Sequence, residues 1–148
     1  MSRIRRILHA SDFSRASEAA FKKAVEMAKA NRAELLLVHV MTPVVPLVGD
    51  GYVSPKIYKE MEASARAYAQ KRLNTLVAKA KQAGVRAKAL LLEGVPHERI
   101  AQAARSKKAD LVVIGTHGRT GFAKLFLGSV ASRVVAIAPR PVLTVRGK

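Results

Sequence analysis

The sequence predicts an α/β fold: a single doubly wound domain, residues 1–148, with a five-stranded parallel sheet and helices on both faces. Five strand-like segments alternate strictly with four stretches of helical period, an order that calls for parallel strands joined by right-handed crossovers. Three of those segments contain unbroken apolar runs, Leu35-Leu36-Leu37-Val38, Ala89-Leu90-Leu91-Leu92 and Leu111-Val112-Val113-Ile114. Such runs suit strands covered on both faces, whereas a half-wet sheet alternates polar and apolar residues. The 148-residue length suits one domain with one core.

In order, strands are expected at 4–10, 34–40, 85–92, 111–115 and 142–145. The first helix carries Phe21, Ala24, Val25 and Ala28 at i, i+3, i+4 and i+7. A long second helix, about 56–83, repeats the period through Ala69, Leu73, Leu76, Val77 and Ala80 and stops near Gly84. A third begins around Pro96 with Ile100, Ala103 and Ala104 inward. The fourth turns Val130, Val134, Ile137 and Ala138 inward and ends at Pro139. The stretch 42–55, with three prolines and two glycines, is a long connection of the kind that forms either a lid or plain surface.

Composition narrows the function classes. With 49% hydrophobic and 25% charged residues the chain is an ordinary globular sequence, and the 5% aromatic content makes its core aliphatic. The absence of cysteine excludes disulfides, thiolate metal sites and thiol catalysis. No apolar run approaches the ~18–20 residues needed to span a bilayer, so a cytoplasmic location without membrane partners is expected. The charge is unusual: 27 Lys and Arg against 10 Asp and Glu, a net +17. It favours polyanions in general. No acid occurs in 63–92 or from 111 onward.

In a doubly wound sheet ligands bind beyond the carboxyl ends of the strands, where the strand order reverses. This directs attention to the loops after Ala10, Val40 and Gly115. The last opens GTHGRTGFAKLFLGSV, with glycines at 115, 118, 121 and 128 and a serine at 129. Bare backbone lets a ligand approach without meeting a Cβ, successive amides form an anion nest, and a following helix adds its positive end. Taken singly, Gly121 serves a turn and Ser129 a helix cap, while Asp12 before a helix is by default a cap or dipole partner. The pattern is neither GxxxxGK[ST] nor GxGxxG. His9 and His39 read as core histidines inside strands and His97 as exposed; no HExxH spacing suggests zinc. Arg119 and Lys124 flank the glycines as cations on a solvated loop.

The spacing Gly115-x2-Gly118-x9-Gly128-Ser129 resembles the nucleotide-binding signature of the universal stress protein family. Ala10-Ser11-Asp12-Phe13-Ser14, Val38-His39-Val40 and Pro139-Arg140-Pro141-Val142-Leu143 extend the resemblance over the whole chain. It implies a Rossmann-like, adenine nucleotide alpha hydrolase-like domain of the ATP-binding branch, a cytoplasmic protein that forms a homodimer by pairing final strands. Position by position it implies that Ala10 and Asp12 lie near the adenine and ribose, that Val40 holds the adenine, and that Ile114 and Gly115 pass under the ribose. His117 and Gly118 would border the phosphates, and Gly128, Ser129, Val130 and Ala131 would present amides and a hydroxyl to them.

Efficient hydrolysis needs a positioned water, a base and a carboxylate or hydroxyl on the metal. Asp12 is the one obvious carboxylate near the expected site. The expectation is therefore an ATP-binding stress-response module with little or no turnover, its Mg2+ carried by phosphate and water, whose state an unknown protein partner reads. AMP or ADP are alternative ligands. A slow ATPase is an alternative activity. A nucleic-acid-binding protein is an alternative class, motivated by the acid-free 63–92 segment and weakened by few aromatics and no recognised nucleic-acid motif.

Overall fold

The structure is a computed structural model that describes residues 3–43, 54–116 and 128–147. Among these, strands and helices alternate as β1 (Arg6–Ala10), α1 (Arg15–Asn31), β2 (Glu34–Met41), α2 (Pro55–Gln82), β3 (Ala87–Glu93), α3 (Pro96–Ser106), β4 (Leu111–Gly115), α4 (Ser129–Ile137) and β5 (Val142–Val145). The strands form one parallel sheet in the order β3-β2-β1-β4-β5. The expected fold class is the one observed, a five-stranded parallel sheet with helices on both faces.

Strand periodicity divides the core in two. Ile7, Leu35, Leu37, Leu111 and Val113 point to the face covered by α1 and α2, where they meet Ala20, Phe21, Ala24, Ala28, Leu73 and Ala80. Their neighbours Leu8, Ala10, Val38, Val112 and Ile114 point to the other face, against Ile100, Ala103, Ala104, Ala131 and Val134 of α3 and α4. Period-two alternation thus places apolar side chains on both faces, which is why unbroken runs were required.

That expectation fails at β3. Leu90, Leu91 and Leu92 are only half-buried, because β3 is the outer strand beyond β2 and, among the described residues, has no strand on its other side. The strand also begins at Ala87, since Val85 is taken up in ending α2. There Gly84, at φ +87°, lets its own N–H reach the Lys81 carbonyl (3.0 Å) while Val85 N–H reaches Ala80 (3.0 Å). The same pair of reversed bonds ends α1 at Arg32 (φ 55°) and α3 at Lys108 (φ 54°) without a glycine. In the fourth helix Val134 is buried as expected, but Ile137 is 45% exposed. The residues that pack on the core, Val130, Val134 and Ala138, recur every four positions, and Ile137 falls beside that stripe.

His9 is the fourth of the five residues of β1, 0% exposed, its ring Nδ1 3.0 Å from the Val113 carbonyl. The core reading of this histidine holds, with Nε2 left without a hydrogen-bond partner among the described residues. Burial pushes its pKa down from 6.5 to about 4, against the opposing effects of the Val113 carbonyl and the Asp12 charge. Because the folded pKa lies below the unfolded one, the unfolded chain takes up the proton first as pH falls. Stability is full above pH 6.5 and is lost between 6.5 and about 4, by about 3 kcal/mol. The expected result in urea titrations at several pH values is that the wild-type advantage over His9→Asn shrinks through this window. A pH-independent difference would show that His9 does not titrate on unfolding.

Candidate functional site

At the carboxyl edge of the sheet β1 and β4 run in register to the pair Ala10↔Ile114 and then part. β1 leads into α1 on one face of the sheet, and α4 follows β4 on the other. The divergence opens a cavity of about 270 Å³ at the reversal of strand order, the position a doubly wound sheet reserves for ligands.

One wall is the turn between β1 and α1. Ser11 N–H continues the sheet by donating to Val38 O at 2.8 Å. The next residues fold back on themselves: Phe13 N–H donates to Ser11 Oγ (3.0 Å), Ser14 N–H to Asp12 Oδ1 (2.9 Å), and Ser17 N–H to Ser14 Oγ (3.3 Å). Ser14, and not Asp12, is therefore the N-cap of α1. Asp12 closes a side-chain turn two residues earlier and lines the cavity with Ala10, Ser11 and Ser17.

Phe13 adopts φ 65°, a left-handed conformation that costs roughly 1–2 kcal/mol for a side chain with a Cβ. Its ring stacks on His39 with centroids 4.3 Å apart, and the Arg72 guanidinium of α2 lies over the ring at 5.2 Å from its centroid. His39 Nδ1 is 2.7 Å from Ser11 O. His39 is thus not a core histidine: it is half-buried at the carboxyl end of β2 and borders the cavity with Val40. His97, expected to be exposed, is half-buried at the start of α3.

The opposite wall is α4. Gly128 N–H donates to Thr116 O at 2.6 Å and Thr116 N–H to Val145 O at 2.9 Å, which ties the helix entry to the end of β4. Gly128 is the N-cap, with extended backbone (φ −60°, ψ 158°) and no side-chain cap bond. The reading of Ser129 as a cap is corrected: it is the first helical residue and is exposed. The first intrahelical bond runs from Ser132 N–H to Gly128 O, 2.9 Å. Ser129, Val130 and Ala131 thus carry first-turn amides that precede the i→i−4 ladder, and all three residues line the cavity.

The floor consists of Ile114 and Gly115. At Gly115 an added Cβ would stand 3.1 Å from Ala16 O and 3.3 Å from its carbonyl carbon, so its bareness serves the close approach of α1. Pro96 and Ile100 complete the apolar lining from α3. Neither was named from the sequence as a site residue, although a helix beginning at the carboxyl edge with Pro96 was the available signal. Of the expected residues, Ala10, Asp12, Val40, Ile114, Gly115, Gly128, Ser129, Val130 and Ala131 share this cavity. His117, Gly118, Gly121, Arg119 and Lys124, and most of the proline-rich 42–55 stretch, lie outside the described residues. Among the described residues no three His, Cys, Asp or Glu gather to hold a metal ion, and no helix is long and apolar enough to cross a membrane.

The family model for the universal stress protein family matches residues 3–146. The chain belongs to the universal stress protein family. A universal stress protein from Thermus aquaticus, described by its place in the QAH/OAS sulfhydrylase 3' region, is 40% identical over 140 residues, covering 95% of this chain and 97% of its own. Among solved structures, universal stress protein UspA from Lactobacillus plantarum matches with a TM-score of 0.83 at 26% identity, over 99% of this chain and 100% of that one. The crystal structure of a universal stress protein in complex with cAMP matches with a TM-score of 0.72 at 26% identity, again over 99% and 100%.

In this family member the packing at Gly115 has a measurable consequence. Gly115→Ala is expected to lower unfolding stability by roughly 1–3 kcal/mol, the usual cost of overpacking a close backbone contact, read from the denaturant midpoint. An unchanged midpoint would mean that the α1 entry retreats freely.

Proposed function

We propose that this chain binds an adenine nucleotide, ATP in the first instance, in the crevice between β1 and β4, and acts as a nucleotide-dependent stress-response module with little or no hydrolysis. One observation carries the reading: an apolar crevice at the strand-order reversal is flanked by the first-turn amides of α4. An apolar slot suits a planar base, and the positive end of a helix suits phosphate. The cAMP complex of a structural relative supports an adenine nucleotide as the ligand class.

In this reading Val40 and Ala10 hold the adenine, with Pro96 and Ile100 deepening the slot. Asp12 takes the ribose hydroxyls, and the backbone of Ile114 and Gly115 passes beneath the sugar. Gly128, Ser129, Val130 and Ala131 receive the phosphates, with His117 and Gly118 bordering them. Asp12 is the one carboxylate among the described lining residues, so Mg2+ arrives on the phosphates with its own water and few protein ligands. A lone carboxylate already bonded in a turn is a poor hydrolytic base, which favours binding over turnover. AMP or ADP fit the same walls with fewer phosphate contacts.

We further propose a homodimer through β5. Among the described residues β5 pairs only with β4, and the exposed Val135 and Ile137 lie on the adjacent helix. A second copy extending the sheet would cover this edge. A protein partner reads the nucleotide state, in a reducing cytoplasm that suits a chain without cysteine.

The decisive variant is Ser129→Pro. Proline at the first helical position preserves the helix while deleting one amide and the hydroxyl. Calorimetric ATP affinity is expected to fall at least tenfold, or about 1.4 kcal/mol, with adenosine affinity almost unchanged. Equal ATP affinity in variant and wild type, or no adenine nucleotide binding at millimolar concentration, would overturn the reading.

A further inference from the structure

The opposite edge of the sheet holds a second concavity, of about 340 Å³, lined by Arg3, Arg5, Arg6, Arg32, Glu34 and Arg86. These residues come from four separate places: the approach to β1 and its first residue, the left-handed end of α1, the first residue of β2 and the lead into β3. β1 is five residues long, so the two cavities stand at opposite ends of a strand of roughly 16 Å.

Part of this charge has a structural explanation. Helix carboxyl ends gather at this edge, and cations there are favourable. Arg6 Nη1 donates to the Lys107 carbonyl at the end of α3, and Arg86 Nη2 to the Arg32 carbonyl at the end of α1. Arg6 Nε also pairs with Glu34 at 3.2 Å, and Lys88 Nζ approaches the same carboxylate at 3.6 Å. Asp110 is engaged by the backbone N–H groups of Arg5 and Arg6, at 2.9 and 3.0 Å.

This leaves a surplus. The guanidinium groups of Arg3, Arg5 and Arg32 make no hydrogen bond or ion pair with another described residue, and Glu34, with 14% of its side chain exposed, already serves two cations. Five arginines around one carboxylate repel one another, a cost that Glu34 offsets only in part. Guanidinium forks match phosphate oxygens in pairs. No aromatic or apolar side chain lines the cleft, so nothing there stacks a base, as single-strand nucleic-acid sites do.

We infer that this arginine cleft binds a short run of linked phosphates without bases, an inorganic oligophosphate, independently of the nucleotide crevice. Occupancy stabilises the folded chain by relieving the repulsion and by mass action.

Sodium tripolyphosphate is the probe, titrated by calorimetry and thermal shift into wild type, Ser129→Pro and the triple variant Arg3→Gln, Arg5→Gln, Arg32→Gln, which spares the Arg6–Glu34 pair and the bond from Arg86 to the end of α1. Wild type and Ser129→Pro are expected to bind alike and to melt higher with ligand. The triple variant should bind at least tenfold more weakly, with a ligand-free Tm no lower than wild type. Arg5→Gln alone, expected to bind about threefold more weakly, decides the matter should the triple variant not fold. Undiminished binding in the arginine variants, or loss in Ser129→Pro, overturns the inference. Tighter binding of a single-stranded oligonucleotide of equal charge overturns it in favour of nucleic acid.

Discussion

The structure depends on one pairing, β1 against β4, at which the chain reverses its direction of travel across the sheet. β2 and β3 are laid down on one side of β1, and β4 and β5 on the other. Because the two central strands match in register as far as Ala10 and Ile114 and then leave toward opposite faces, a gap opens that no helix among the described residues fills. The crevice is therefore a consequence of topology before any ligand-specific side chain is considered. The side chains give it character: an apolar slot from β1, β2 and α3, and the amides of α4 at one end.

Close packing around that gap relies on small residues. Ala20, Ala24 and Ala28 of α1 are fully buried against the sheet, which lets the helix sit near enough that Gly115 and Gly147 both face Ala16. A Cβ on Gly147 would stand 2.8 Å from Ala16 Cα, closer than real contacts allow. The entry of α1 is thus fixed by Gly115 at the end of β4 and by Gly147 two residues beyond β5, and it carries the Asp12 turn with it. Phe13 adds a clamp from α2, through Arg72 over its ring and a 3.3 Å bond from Arg72 to its carbonyl. This wall of the crevice is thus held by β2, α2, β4 and the segment after β5.

Parallel βα units also sort electrostatics by edge. Helices begin at the carboxyl ends of strands and finish at the amino ends, so unpaired amides collect on one side and unpaired carbonyls on the other. The amide side is suited to phosphate by backbone alone. The carbonyl side reaches a similar preference by a different route, through arginines that first satisfy helix ends and then exceed what those ends require. A net charge of +17 is therefore not spread as a uniform solvated coat.

The sequence by itself determined the element order, the bounds of β4 and β5, the inward residues of α1 and α3, and the strand ends Ala10, Val40 and Gly115 that border the crevice. These are legible because period and turn chemistry act within about ten residues of chain. The glycine signature likewise singled out Gly115, Gly128 and Ser129, which line the crevice. Tertiary structure decided which strands became edges, and hence why Leu90, Leu91 and Leu92 are half-wet although their run looks like that of β4. It moved His39 from core to rim, passed the cap of α4 from Ser129 to Gly128, turned Ile137 outward, and brought Pro96 and Ile100 to the cavity. It also assembled Arg5, Arg32 and Arg86 from segments tens of residues apart. Each of these depends on a neighbour supplied by another element, and a linear pattern holds no record of which neighbour a strand or helix end will meet.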